Sequence, residues 1–187
     1  MFIQTEPTPN PATLKFLPGR AVMARGTFTA DSAAEAARSP LARRLFAVEG
    51  VAGVYFGSDF VTVTKSGEAD WAALKPQLLG AIMNHFTAGD PAVEAGGESA
   101  EHAAGASEAD DEVVEQIKEL LDSRIRPAVA QDGGDIVFHG FDKGVVYLHM
   151  RGACAGCPSS TATLKSGIEN LLKHYIPEVT QVRAVQV

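Results

Sequence analysis

The chain has 187 residues, 45% of them hydrophobic and 21% charged, which is enough to bury one or two modest cores and too apolar for disorder throughout. Its net charge of −7 is unevenly spread: residues 1–87 carry 8 basic and 7 acidic side chains, 88–112 carry none and 8, and 113–187 carry 8 and 8. Neither flank is basic enough to neutralise a run of phosphates, so nucleic-acid binding is disfavoured; no uncharged apolar run approaches the roughly 18 residues of a membrane span, and no charged N-terminal stretch leads into an apolar one. The sequence reads as soluble, untargeted and without a membrane partner.

Residues 1–87 mix short strands with helices. Strands are expected at 12–17 and 26–30 and a short helix at 41–48, followed by a hairpin of 51–56 and 60–65 around Gly57-Ser58-Asp59. Asp70 then caps an amphipathic helix whose apolar residues Leu74, Leu78, Ile82 and Phe86 recur every four positions, with Pro76 in an early turn. Phe56, Phe60 and Trp71 are expected in its core. Residues 88–110 follow, small, acidic and without an aromatic side chain; such a composition buries too little apolar surface to offset its ordering entropy and reads as a flexible linker. A linker of about 22 residues spans on the order of 25 Å, so the flanking domains are expected to reorient about each other.

Residues 111–187 begin with a helix whose Val113, Val114, Ile117, Leu120, Leu121 and Ile125 follow the 3.6 period, and Pro127 is expected to kink or interrupt it. Gly133-Gly134 breaks the chain; 136–139 and 145–150 form a second hairpin around Asp142-Lys143-Gly144. Ser159 or Ser160 is expected to cap a helix carrying Leu164, Ile168, Leu171 and Leu172, and 180–187 is a final strand. The fold class is therefore α+β: two small α+β domains, 1–87 and 111–187, joined by the flexible acidic linker.

The two cysteines of the chain are Cys154 and Cys157. Chance would place two cysteines three positions apart only about 1% of the time, and two are too few for a disulfide framework. They stand in Gly152-Ala153-Cys154-Ala155-Gly156-Cys157-Pro158, between a strand and a helix start. That spacing lets both sulfurs face one metal centre, and a helix N-terminus favours the thiolate form of each. A [4Fe–4S] or [2Fe–2S] cluster commonly needs four thiolates whereas the chain supplies two, so a homodimer sharing one cluster completes the set. Loss of half the ligands on subunit separation suits a carrier.

Three other readings stand beside this one. Thioredoxin-like thiol–disulfide exchange, with Cys154 as nucleophile and Cys157 as resolving thiol, uses a low-pKa pair in a βαβ setting, and this domain reads as a hairpin followed by a helix. A zinc-stapled interaction module would use the cysteines with His139 and His149, or four cysteines across a dimer. The third is a pair of inert, buried thiols, for which the glycine and proline flanks make a poor core. Asp132 and Asp135 around Gly133-Gly134 read as a capped turn rather than a hard-cation site. None of His85, His102, His139, His149 and His174 is chosen as a ligand, and Arg151 and Lys165 read as solvated. No glycine-rich phosphate loop supports nucleotide hydrolysis.

At GACAGCPSSTATLKSGIENLLKHYIPEV, with QDGGDI and Arg126-Pro127 before it, the sequence resembles the C-terminal domain of NifU-like proteins, the Nfu family of iron–sulfur cluster scaffolds and carriers, over about residues 112–185. TEPTPNPATLKFLPG and LFAVEGVAGVYFGSDFVTVTK resemble the Nfu N-terminal domain. The resemblance implies a non-enzymatic carrier in which Cys154 and Cys157 hold a [4Fe–4S] cluster, with [2Fe–2S] as the alternative, at a homodimer interface. It also implies delivery to apo iron–sulfur client proteins, an upstream cluster-assembly scaffold as donor, and an N-terminal domain that recognises one or the other. Because the first domain begins almost at Met1, with no transit peptide, a bacterial cytoplasmic protein is expected rather than one of the mitochondrial matrix.

Overall fold

The computed structural model describes residues 2–94, 111–155 and 158–185. The chain divides into two compact units, Met1–Ala100 and Glu101–Val187, each built of helices packed on an antiparallel or mixed sheet. No described helix is long and apolar enough to cross a membrane.

In the first unit the strands are β1 (Gln4–Pro7), β2 (Thr13–Leu17), β3 (Phe28–Ala30), β4 (Val51–Phe56) and β5 (Val61–Lys65). They form an antiparallel sheet in the order β1-β2-β5-β4-β3. Strict alternation in Val61-Thr62-Val63-Thr64 sends the valines to one face, where the register stacks Phe16, Val61 and Phe56 across neighbouring strands and Phe28 beyond them. The Phe28 and Phe56 rings stack at 5.3 Å. Three helices cover that face: α1 (Ala33–Ala36), α2 (Pro40–Phe46) and α3 (Trp71–Ala88). Ser39 caps α2 by accepting from Ala42 N, and Asp70 caps α3 by accepting from Ala72 N. The expected stripe Leu74, Leu78, Ile82 and Phe86 is buried. Phe56 and Phe60 are buried as expected; Trp71 lies at the core margin and donates Nε1 to the Pro11 carbonyl at 3.0 Å.

Residues 90–94, expected in the mobile linker, are docked on α2. Ala92 is buried, Glu94 N donates to the Arg38 carbonyl at 3.2 Å, and Ser39 Oγ donates to the Ala92 carbonyl. The remaining linker, 95–110, lies outside the described residues.

In the second unit α4 (Asp111–Leu120) runs through a π-helical turn, Leu121–Ile125, into α5 (Arg126–Gln131). Pro127 accounts for the turn: it has no N–H to donate and its ring excludes the carbonyl four residues back, so the helix absorbs an extra residue and continues. β6 (Gly134–Asp142) and β7 (Val145–Gly152) form the second hairpin, with Lys143 and Gly144 at φ 49° and 82°. α6 (Pro158–Tyr175) leads to β8 (Gln181–Val185), which pairs parallel to β7. The sheet order is β6-β7-β8. Helix α6 begins at Pro158, a residue suited to a first helical position, so Ser159 and Ser160 lie in its first turn and not before it.

His85, on α3, is wholly buried and neither ring nitrogen has a hydrogen-bond partner. Burial, reinforced by the Arg44 charge and only partly opposed by Asp90, holds its pKa below the usual 6.5. As pH falls below about 6.5 the unfolded chain takes up this proton first, so stability should fall on acidification. Urea unfolding at pH 7.5 and 5.5 checks this: the midpoint is expected to drop in the native chain and to drop less in His85→Leu. An equal drop in both would remove His85 as the cause.

Candidate metal centre

The loop after β7 carries Cys154. Gly152 ends the strand at φ 64°, a left-handed conformation that favours glycine, and three hydrogen bonds hold the loop. Ala153 N donates to the Gly133 carbonyl at 3.1 Å, Ala155 N to the Gly152 carbonyl at 3.0 Å, and Thr161 Oγ1 of α6 to the Cys154 carbonyl at 3.1 Å. Cys154 is 7% exposed and packs into the core of this unit. Its sulfur lies against the backbone of Gly134, where a Cβ would stand 2.5 Å from Cys154 Sγ and 2.9 Å from the Arg151 carbonyl oxygen. Only a residue without a side chain fits between β6 and this sulfur.

Asp135, beside that glycine, is buried rather than a turn cap at the surface. Arg126 grips it bidentately, Nε donating to Oδ1 at 2.9 Å and Nη2 to Oδ2 at 3.0 Å, while Nη1 donates to Asp122 Oδ1 at 2.9 Å. Ile136 N donates to Asp135 Oδ1 at 2.8 Å. The fork ties α5 to β6 next to Cys154 and satisfies a carboxylate that would be costly to bury alone. The sequence marks these residues only as family pattern; a part-buried ion pair spanning nine positions has no local signal.

The environment reverses one expectation. Burial, with the Asp132 and Asp135 charges adding to it, pushes the Cys154 thiol up from 9.0 to about 12, so in the metal-free chain it is a protonated thiol and not the ready thiolate that a helix start would favour. A metal must displace that proton, as metal–thiolate bonds do. A second expectation also fails. The β7-α6-β8 unit is a parallel βαβ crossover, so the absence of that setting no longer counts against thiol–disulfide exchange; the raised Cys154 pKa does.

Gly156 and Cys157 lie outside the described residues, as do the side chains of 158–160. Among the described residues no three His, Cys, Asp or Glu side chains converge as a metal site. His149 engages the Val185 carbonyl through Nδ1 at 3.0 Å, His139 is exposed, and His85 belongs to the other unit. The structure thus brings Asp132 and Asp135 near Cys154 and leaves the described histidines out, His102 lying outside the described residues.

Residues 3–89 match the family described as Scaffold protein Nfu/NifU N terminal, and residues 117–183 match the NifU-like domain. The human protein named NFU1 iron-sulfur cluster scaffold homolog, mitochondrial, is 53% identical over 99% of this chain, which spans 72% of that protein. Its namesake in Drosophila willistoni is 52% identical, and the Arabidopsis thaliana NifU-like protein 4, mitochondrial, is 51% identical; the chain spans 64% and 65% of their lengths. A solution structure of a NifU-like protein from Saccharomyces cerevisiae aligns with 51% of this chain and 86% of its own, at 24% identity and a TM-score of 0.47. The chain belongs to the Nfu/NifU family, with the N-terminal and NifU-like domains in one polypeptide. The expectation of a bacterial cytoplasmic protein is overturned by these relatives, which are named mitochondrial and match nearly the whole chain.

Gly134→Ala should force the Cys154 loop away from β6 and cost about 1–3 kcal/mol, the range of core overpacking. Gly140→Ala, where a Cβ meets nothing within 4 Å, should stay within about 0.5 kcal/mol. Urea unfolding measures both. In a Cys157→Ala background, iodoacetamide alkylation of Cys154 in the metal-free chain should be slow and still rising with pH above 9, and faster in Gly134→Ala; a plateau below pH 9 would contradict the buried, protonated thiol.

Proposed function

We propose that this protein is an iron–sulfur cluster scaffold and carrier, not an enzyme, in which Cys154 and Cys157 of two copies hold one [4Fe–4S] cluster and pass it to apo iron–sulfur proteins. The observation that carries the reading is the Cys154 loop itself: a thiol fixed by three backbone and side-chain hydrogen bonds between a strand and a helix, with one further thiol three residues on. Two thiols per chain are half of a cluster's usual ligand set, so a second copy is the natural source of the rest. Family membership supports the cargo, since the relatives are named for iron–sulfur cluster scaffolding.

The cluster is cargo and must be both held and released. When bound, its iron takes the place of the Cys154 proton; when an acceptor thiol attacks, the carboxylates of Asp132 and Asp135 favour reprotonation of the departing sulfur. Gly134 and the Arg126–Asp135 fork keep the sulfur at one position through the cycle. The N-terminal unit is assigned to recognition of clients or of an upstream assembly scaffold, and the linker to letting it reach them. A [2Fe–2S] cluster uses the same four thiolates and is the alternative cargo.

Thiol–disulfide exchange is the second reading, favoured by the βαβ setting of the motif. It needs neither iron nor a second copy.

Cys154→Ala and Cys157→Ala should each abolish assembly of the cluster, read from its visible absorption and bound sulfide after anaerobic reconstitution, while both units keep their native circular dichroism. Full assembly and transfer by either single variant would show that the ligands are other residues.

A further inference from the structure

Helix α2 presents two adjacent arginines, and residues 90–94 fold back to meet them. Arg43 Nη2 pairs with Glu94 Oε1 and Arg44 Nη2 with Asp90 Oδ2, both at 2.8 Å. All four side chains remain between 41% and 56% exposed, so the pairs are solvent-screened and exchange readily. What fixes this segment is not the ion pairs but the buried Ala92 and the backbone bonds to Ser39 and Arg38. Between α2 and the segment lies an open cavity of about 610 Å³, walled by the two ion pairs and by Pro40, Ala47 and Pro91.

We propose that the Arg43–Arg44 face of α2 is a docking site for an acidic segment of a partner protein, and that Asp90 and Glu94 occupy it in cis as competitors. The two carboxylates show what chemistry the arginines accept, since guanidinium forks select carboxylates. The cavity gives an incoming acidic side chain and its apolar neighbours a place to enter. Because Ala92 anchors the segment independently, the arginines can change partner without that anchor being released. A partner therefore needs only to outcompete two weak ion pairs, and the cis carboxylates lower its apparent affinity by the fraction of time they occupy the arginines. This site is separate from the cysteine loop and does not depend on what that loop binds.

The test uses the full chain and hexaglutamate as probe, following the arginine Nε–Hε signals by NMR at low ionic strength. The double variant Asp90→Asn, Glu94→Gln keeps side-chain size and the Ala92 anchor; it should bind the peptide roughly three- to tenfold tighter than the native chain. Arg43→Gln with Arg44→Gln should abolish binding. Arg25→Gln with Lys75→Gln, which removes the same charge elsewhere on this unit, should leave it unchanged. Equal affinity of the native chain and the Asp90/Glu94 variant would overturn competition in cis. Equal weakening by the two charge-removing pairs would reduce the effect to net charge and overturn the site.

Discussion

The second unit depends on one close approach, the backbone of Gly134 against the sulfur of Cys154. A Cβ at 134 would stand 2.5 Å from the Cys154 sulfur and 2.9 Å from the Arg151 carbonyl oxygen, closer than real Cβ atoms approach, and 3.1 Å from the Cys154 nitrogen. The start of β6 must therefore be bare so that the end of β7 can turn the cysteine inward. Arg126 makes this arrangement rigid from behind, through its fork on the buried Asp135, and reaches it because the π-helical turn before Pro127 carries the helix on instead of ending it. Helix, glycine pair, carboxylate and cysteine are one mechanical unit, which gives the QDGGDI segment a physical reason to accompany the cysteine motif.

The same packing sets the chemistry of the thiol. A sulfur in the core, faced by two carboxylates, is held as the protonated thiol in the metal-free chain, so a metal must displace that proton to bind. Competition from that proton makes metal binding at Cys154 dependent on pH, tighter as the pH rises. The raised pKa of Cys154 also contrasts with catalytic nucleophilic thiols, whose pKa is lowered to give a thiolate at neutral pH.

Much of the fold was legible because its elements bury one face each. The Gly57-Ser58-Asp59 turn between two strand-forming runs marked β4 and β5, and the four-residue spacing of Leu74, Leu78, Ile82 and Phe86 marked α3, observed as Trp71–Ala88. β1 escaped because Gln4–Pro7 is an edge strand with little burial and hence no apolar pattern. The docking of 90–94 escaped because its composition matches a linker; Ala92 is too small for burial to show in a pattern. The parallel pairing of β8 with β7 is a long-range contact that no local signal encodes. At the site, spacing and flanking glycines gave away the cysteines, whereas the burial of Cys154, the role of Gly134 and the Arg126–Asp135 fork are properties of packing between residues distant in sequence.

The most direct test of the account is iron, acid-labile sulfide and zinc per chain after anaerobic reconstitution, with particle mass from light scattering on the same sample. A shared [4Fe–4S] cluster gives about two irons and two sulfides per chain in a particle of twice the 19.7 kDa chain mass, and about one of each per chain in that dimer would change the cargo to [2Fe–2S]. Zinc without sulfide, or a metal-free monomer that reduces disulfides, would contradict a cluster carrier.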